Sequence, residues 1–193
     1  MRPLPAVAQL SPVFGVAAAD FDGDDREDLF LAQNFFGTDF ETARQDAGMG
    51  VLLRNGGFEK WENLPPHRSG IRVTGEGRGA AVADFDGDGR PDLAVAQHGQ
   101  NTLLFRNQSG PPGVRLRFQG SIANPGALGS QYWFENAQGA RGPVRELHAG
   151  GGWWSQDGAP VVRPRPDTAA LSVRWPHQNA RRYEWPAGAR EVE

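Results

Sequence analysis

Cysteine is absent from the 193 residues, and lysine occurs once, at Lys60. Without thiols there can be no disulfide framework, no thiolate zinc site and no cysteine nucleophile. The other basic side chains are 19 arginines, scattered without a basic run, a poor footprint for nucleic acid. Long apolar runs are missing too. Stretches such as Gly15 to Ala19 and Leu93 to Ala96 are a handful of residues each, so no helical segment spans a bilayer. The first residues, MRPLPAVAQLSPVFGVAAAD, hold early prolines and lack the apolar core of about seven residues that marks a secretory leader.

What the chain has in excess is glycine and proline, 26 and 15 residues, beside 38% apolar residues. That balance excludes a bundle of long helices and still leaves enough apolar surface to bury a core, which predicts a loop-rich, all-β protein. The net charge of −3 hides two unlike parts: divided at Pro111, the chain carries −6 before and +3 after. Nine of thirteen aspartates fall within Asp20 to Asp28 and Asp84 to Asp92, a concentration that calls for a counter-cation.

These aspartates belong to an internal repeat. GVAAADFDGDDREDLFLAQN (15–34) overlays GAAVADFDGDGRPDLAVAQH (79–98) at an offset of 64. A second echo, VLLRNGG from Val51 against TLLFRNQ from Thr102, gives an offset of 51 and about thirteen extra residues in the first copy, within FFGTDFETARQDAGMG. Each copy reads as a strand of small residues, an Asp-rich loop, an apolar strand, a turn and a further strand. Loops inserted between such strands project from a scaffold; Phe35, Phe36 and Phe40 of the insertion are candidates to cover an open sheet edge.

Within each loop the carboxylates stand at positions 1, 3, 5 and 9: Asp20, Asp22, Asp24 and Asp28, then Asp84, Asp86, Asp88 and Asp92. Calcium takes six to eight hard oxygen ligands, and alternating carboxylates in a tight loop can wrap one ion, with a backbone carbonyl at position 7 completing the set. Those carbonyls belong to Arg26 and Arg90. Gly23, Gly87 and Gly89 allow the backbone to turn inward, whereas Asp25 takes the position of Gly89 in the first loop and makes that site the weaker one. The spacing predicts about two Ca2+ ions. An EF-hand would need a bidentate Glu at position 12, where the loops have Leu31 and Val95. Asp and Gly also mark ordinary turns, which would explain one such loop better than two.

These two segments resemble FG-GAP, or VCBS-type, repeats, the calcium-loop blades of integrin-α-like β-propellers. Further on, VRLRFQG, GALGSQYWFEN, VRELHAGGGWWSQD and LSVRWPHQNARRYEW resemble the ASPIC/UnbV domain that follows such repeats in the cartilage acidic protein family. The chain departs from that domain's pattern at VVRPRPD (161–167) and at Trp153 and Trp154, where a Tyr-Leu pair is commoner. The resemblance implies a division into an N-terminal segment 1–12, repeats over 13–110 and an ASPIC/UnbV-like domain over 112–193. The expected architecture is a partial β-propeller of about two blades followed by a β-sandwich-like domain. The resemblance also implies a secreted, periplasmic or cell-surface recognition or adhesion module, non-catalytic, with calcium in a structural role and an extracellular protein or glycan as ligand. Propellers close with four to eight blades, so missing blades or another chain would cover the open edges of two.

Catalytic signatures are weak. His67, His98, His148 and His177 show no paired spacing for zinc, Gly150 to Gly152 lack the ending of a phosphate loop, and Ser155 near His148 has no nucleophile elbow. A role as accessory domain of a hydrolase is therefore the third reading. The second is a lectin-like carbohydrate-binding module. Several tryptophans crowd the C-terminal half, and burial in a sandwich accounts for most of them. If Trp153-Trp154 is a strand, one of the pair faces out. With Arg163 or Arg165 nearby, these residues are the candidate ligand contact.

Overall fold

The computed structural model describes residues 3–58, 60–152, 154–186 and 188–193. Along VFGVAAA, burial alternates with period two, so Gly15, Ala17 and Ala19 face inward from the strand Val13–Ala19 (β1). It pairs antiparallel with Asp28–Gln33 (β2), and the chain continues through Val51–Asn55 (β3) to Trp61–Leu64 (β4) in a four-stranded meander. Glu76–Ala83 (β5), Asp92–His98 (β6) and Leu103–Phe105 (β7) repeat the first three strands. Val16 opposes Leu31 as Ala80 opposes Val95, and both hairpins shift register at the same place, between Val13 and Gly15 and between Gly77 and Gly79.

Pairing of the third strands corrects the overlay of the second echo. Leu53 opposes Leu29 and Phe105 opposes Leu93, an offset of 52, so the first copy holds twelve extra residues rather than thirteen. The slip between LLRN and LLFRN is settled by which residue lies opposite β2 or β6, because moving one residue turns every side chain to the other face.

One core serves both meanders: Ala17, Phe30, Ala32 and Leu52 of the first meet Ala80, Leu93 and Val95 of the second, with Ile71 and Val73 from the connection. The small residues let β1 and β5 approach closely, and a Cβ on Gly15 would lie 3.0 Å from the Arg78 carbonyl oxygen. The insertion is tied down by Asn34, fully buried at φ +93°. Its amide donates to the Gly48 and Gly75 carbonyls and its Oδ1 accepts from Gly48 N–H and the Ser11 hydroxyl. Of the three insertion phenylalanines, Phe35 packs against Phe14 at a tilt of 43°, with the Arg78 guanidinium over both rings. Phe36 is half exposed and Phe40 stands 96% exposed, so Phe40 covers no edge.

The rest of the chain forms Val114–Leu116 (β8), Gln131–Asn136 (β9), Arg145–Glu146 (β10), Val161–Val162 (β11), Thr168–Arg174 (β12), Ala180–Glu184 (β13) and Glu191–Val192 (β14). They make an antiparallel sheet in the order β10-β9-β12-β13 and a sheet β11-β8-β14, in which β14 runs parallel to β8. Leu116, Val162 and Val192 from one sheet meet Tyr132, Phe134, Leu171 and Val173 from the other in a sandwich core. Trp175 and Trp185 pack against that core, and Trp133 is buried with its indole N–H on Glu135. Among the described residues, helix is confined to a turn at Ala6–Gln9 and four residues at Pro66–Ser69. The molecule is all-β, as its composition predicts.

Candidate metal loops

Each Asp-rich loop connects the first strand of a meander to the second, β1 to β2 and β5 to β6, and its last aspartate is the first residue of that second strand. Asp28 and Asp92 are buried and do the same work in both copies. Asp28 accepts backbone N–H groups from Phe21 and Asn55; Asp92 accepts them from Phe85 and Asn107. Each carboxylate thereby pins its own loop to the end of the third strand.

The first loop folds around Asp20. Its Oδ1 accepts Gly23 and Asp24 N–H at 2.7 and 2.9 Å, and its Oδ2 accepts Asp25 N–H at 2.8 Å. In the second loop Asp84 Oδ2 accepts Gly89 N–H at 3.0 Å, while Asp84 Oδ1 is buried with no hydrogen-bond partner. Gly23, Gly87 and Gly89 adopt φ of +77°, +75° and +83°, the left-handed turns that let these carboxylates converge.

One carboxylate oxygen from each of Asp20, Asp22 and Asp28 lies within 4.8 Å of the others, and the same holds for Asp84, Asp86 and Asp88. These two triads could hold a metal ion. The all-oxygen donor set suits a hard cation, and the orphaned Asp84 Oδ1, on a side chain only 3% exposed, is a ligand atom without a partner. Asp24 and Asp92 stand outside the triads. Asp24 binds Arg26 through that residue's N–H and guanidinium, and Asp88 binds Arg90 in the same way.

Burial of the acids raises their proton affinity. Burial, opposed by the Asn55 N–H and reinforced by the Asp22 charge, pushes the Asp28 carboxyl up to about 7. Burial also raises Asp20, Asp24 and Asp92 above the ordinary carboxylate range. Asp88 moves the other way: the desolvation it suffers is outweighed by hydrogen bonds from Arg106 and Arg90, which hold it low.

Arginines from outside the loops complete them. Arg54 Nε lies 2.5 Å from Asp22 Oδ2, and Arg106 Nε lies 2.5 Å from Asp86 Oδ2. Their signal was in view, since the Arg-Asn pair closes both LLRN and LLFRN; the following Asn55 and Asn107 supply the N–H groups for Asp28 and Asp92. Four more arginines come from beyond residue 112. Arg115 donates to the carbonyl and Oδ2 of Asp84, Arg145 to the carbonyl and Oδ1 of Asp25, and Arg163 to the Gly23 carbonyl. Arg165 Nε pairs with Asp25 Oδ2 at 3.0 Å.

Arg163 and Arg165 thus reach the first Asp-rich loop. Trp154 is 92% exposed in a turn at φ +49°, a conformation that breaks the strand assumed for the tryptophan pair. Trp153 lies outside the described residues. Between the repeats and the C-terminal sheets is a cleft of about 440 Å³, lined in part by Glu27, Tyr132, Arg145, His148 and Asp157. There His148 Nε2 faces Asp157 Oδ2 at 3.4 Å; the Ser155 hydroxyl is outside the cleft lining, buried, and bonds to neither.

Comparison with known proteins agrees with this geometry. Residues 77–110, which take in all but the first residue of β5, the second Asp-rich loop, β6 and β7, match the family model of the FG-GAP repeat. Cartilage acidic protein 1 of mouse is 33% identical over 110 residues, and that of human 32% over 110 residues. Each match takes in 55% of this chain and 16% of the relative, so the chain spans about a sixth of the length of these proteins.

Proposed function

With an FG-GAP repeat at residues 77–110 as the premise, we propose that this chain is a non-catalytic, calcium-binding module of an extracellular protein, in which the ions brace the repeats that present a recognition surface. The proposed ligand sets are Asp20, Asp22, Asp24, Asp28 and the Arg26 carbonyl in the first loop, and Asp84, Asp86, Asp88, Asp92 and the Arg90 carbonyl in the second. The observation that carries the reading is the pair of convergent carboxylate triads, with the buried Asp84 Oδ1 left unpartnered in one of them. The extracellular setting rests on the similarity to cartilage acidic protein 1 and on the match to a repeat known from such proteins. We take residues 13–110 as the repeat unit and 112–193 as an ASPIC/UnbV-like domain.

A thermal melt of the purified chain in EDTA, in millimolar magnesium and across a calcium titration tests the proposal. A ligand that binds only the folded loops stabilises by RT ln(1 + [L]/Kd), about 2.7 kcal/mol at a hundredfold excess over Kd. A calcium-specific rise in melting temperature is the expected result, and no shift in any cation would remove calcium from the function.

Trp154 favours a second reading. A tryptophan that is almost fully solvent-exposed offers a flat face for stacking on a sugar ring. Glycan-array binding lost in Trp154→Ala would make the module lectin-like; an array empty with calcium and with chelator would leave protein recognition.

A further inference from the structure

We propose that Arg54 and Arg106 are built-in counter-ions of the two Asp-rich loops: they hold the carboxylates at positions 3 and 5 when no metal is bound and must leave them when a divalent cation enters, so these two side chains set the loops' cation affinity. The inference rests on the calcium reading above and adds the residues that compete with the ion.

Both arginines occupy the same place in the fold. Each follows directly on the third-strand residue paired with Leu29 or Leu93, although the two copies differ by twelve residues in the connection before it. Each guanidinium spans the same two positions. Arg54 Nε meets Asp22 Oδ2 at 2.5 Å and its Nη2 approaches Asp24 Oδ2 at 3.9 Å. Arg106 Nε meets Asp86 Oδ2 at 2.5 Å and its Nη2 meets Asp88 Oδ2 at 3.1 Å. Asp22, Asp86 and Asp88 are members of the convergent triads, so arginine and metal would draw on the same carboxylates.

Arginine is an incomplete occupant of these loops. Both Asp22 oxygens and Asp84 Oδ1 remain buried without a hydrogen-bond partner: Arg54 Nε pairs with Asp22 in charge alone, and Arg106 does not reach Asp84, whose other oxygen is taken by Arg115. A planar guanidinium donates in one fork-shaped plane, whereas calcium gathers six to eight oxygens around a point and can take the orphaned atoms as well. A retained guanidinium would also repel the incoming divalent charge, so steric overlap and electrostatics both oppose the ion.

Of the arginines on triad carboxylates among the described residues, Arg54 and Arg106 are the most exposed, with side chains at 41% and 52% against 26% for Arg90 and 24% for Arg115. Arg165 is more exposed still, at 61%, but it pairs with Asp25, outside the triads. Arg145, by contrast, is buried against Asp25, and Arg115 is held by Asp84 and Glu191 together. The Arg106 pair is half exposed, and such pairs are worth little in water; the Arg54 pair meets through buried atoms that form no hydrogen bond, so leaving it forfeits only a contact of poor geometry.

Calorimetric titration of calcium chloride into the full chain tests this, using the parent, Arg54→Gln, Arg106→Gln and the double variant, alongside melts in EDTA. Each single variant should melt lower than the parent in EDTA and bind calcium about fivefold more tightly at its own loop, the factor that loss of one exposed ion pair corresponds to. Unchanged or weaker affinity in both variants, with the parent binding calcium, would overturn the competition and leave the calcium reading intact. Calcium binding by the double variant alone would support it strongly. Heat from neither parent nor variants would remove the calcium reading and this inference with it. Should a glutamine variant not fold in EDTA, Arg54→Lys and Arg106→Lys keep the charge but cannot bridge two carboxylates, and they should tighten binding in the same direction.

Discussion

Arg145 Nη2 donates at once to the Asp25 carboxylate, at 2.9 Å, and to the Asp25 carbonyl, at 3.1 Å, joining residues 120 positions apart. Both side chains are buried, and Arg165 closes on the other carboxylate oxygen. Asp25 stands where the second loop has Gly89, and its φ of +68° is left-handed like that glycine's. What reads in the sequence as a flaw in a metal loop is the anchor by which the C-terminal sheets grip the first repeat.

Breaking a buried pair from one side costs about 3–5 kcal/mol when the remaining charge has no other partner; here Arg165 stays on Asp25 and Glu27 lies 3.7 Å from Arg145, so the cost falls below that range. Arg145→Ala should therefore lower the denaturation midpoint. Asp25→Gly relieves the backbone but removes the carboxylate nearest Arg145, so it should also destabilise, and Asp25→Gly with Arg145→Met should recover much of the loss. Urea unfolding of the three variants checks the order; an Asp25→Gly variant as stable as the parent would show that the pair contributes nothing.

Calcium should act loop by loop. Asp88→Ala is expected to abolish the second loop's share of the calcium-induced rise in melting temperature, and Asp22→Ala the first loop's, each leaving the other. At about 1 mM calcium, modules with Kd of roughly 10⁻⁴–10⁻³ M are half or more occupied, and the parent should gain about 0.4–1.4 kcal/mol per site. Two variants that respond to calcium as the parent does would contradict the ligand sets.

The pH dependence follows from Asp28. Its folded-state value of about 7 lies above the ordinary 3.8, so the metal-free fold binds this proton more tightly than the unfolded chain does. Ionising Asp28 therefore costs the metal-free fold stability in full above about pH 7, and the cost is relieved as pH falls toward 3.8. Calcium needs the ionised carboxylate, so its stabilising effect should be larger at about pH 8 than at about pH 6. Asp28→Asn should flatten the metal-free pH profile in that window, and differential scanning fluorimetry with and without EDTA reads both slopes.

Asn34 gives a test away from the metal. Its side chain makes four hydrogen bonds that join Ser11, Gly48 and Gly75 around the insertion. Asn34→Ala leaves several buried groups without partners, at about 1–3 kcal/mol for each group stranded. Asn34→Asp removes the two donors and adds a buried charge, so it should be at least as damaging. Hydrogen exchange at Gly48 should accelerate in both variants, and protection equal to the parent's would show that the insertion is held by other contacts.

The sequence by itself determined the parts of this molecule whose physics is local. Alternating small and apolar residues specify β1, β2, β5 and β6, and the repeat offset of 64 carries over into the strand register because a two-residue period tolerates no slip. The turns at Gly23, Gly87 and Gly89 were legible for the same reason, since only a left-handed backbone brings alternating aspartates onto one side. Tertiary structure alone decided which cations meet those loops. Arg54 and Arg106 arrive at the end of the third strand, Arg115 and Arg145 from C-terminal strands, and Arg163 and Arg165 from the connection between β11 and β12, up to 140 residues away in the chain. No spacing rule encodes such pairings, because they depend on how two separately folded cores pack. Composition offers 19 arginines, and only the fold selects the six that sit on the loops from outside them.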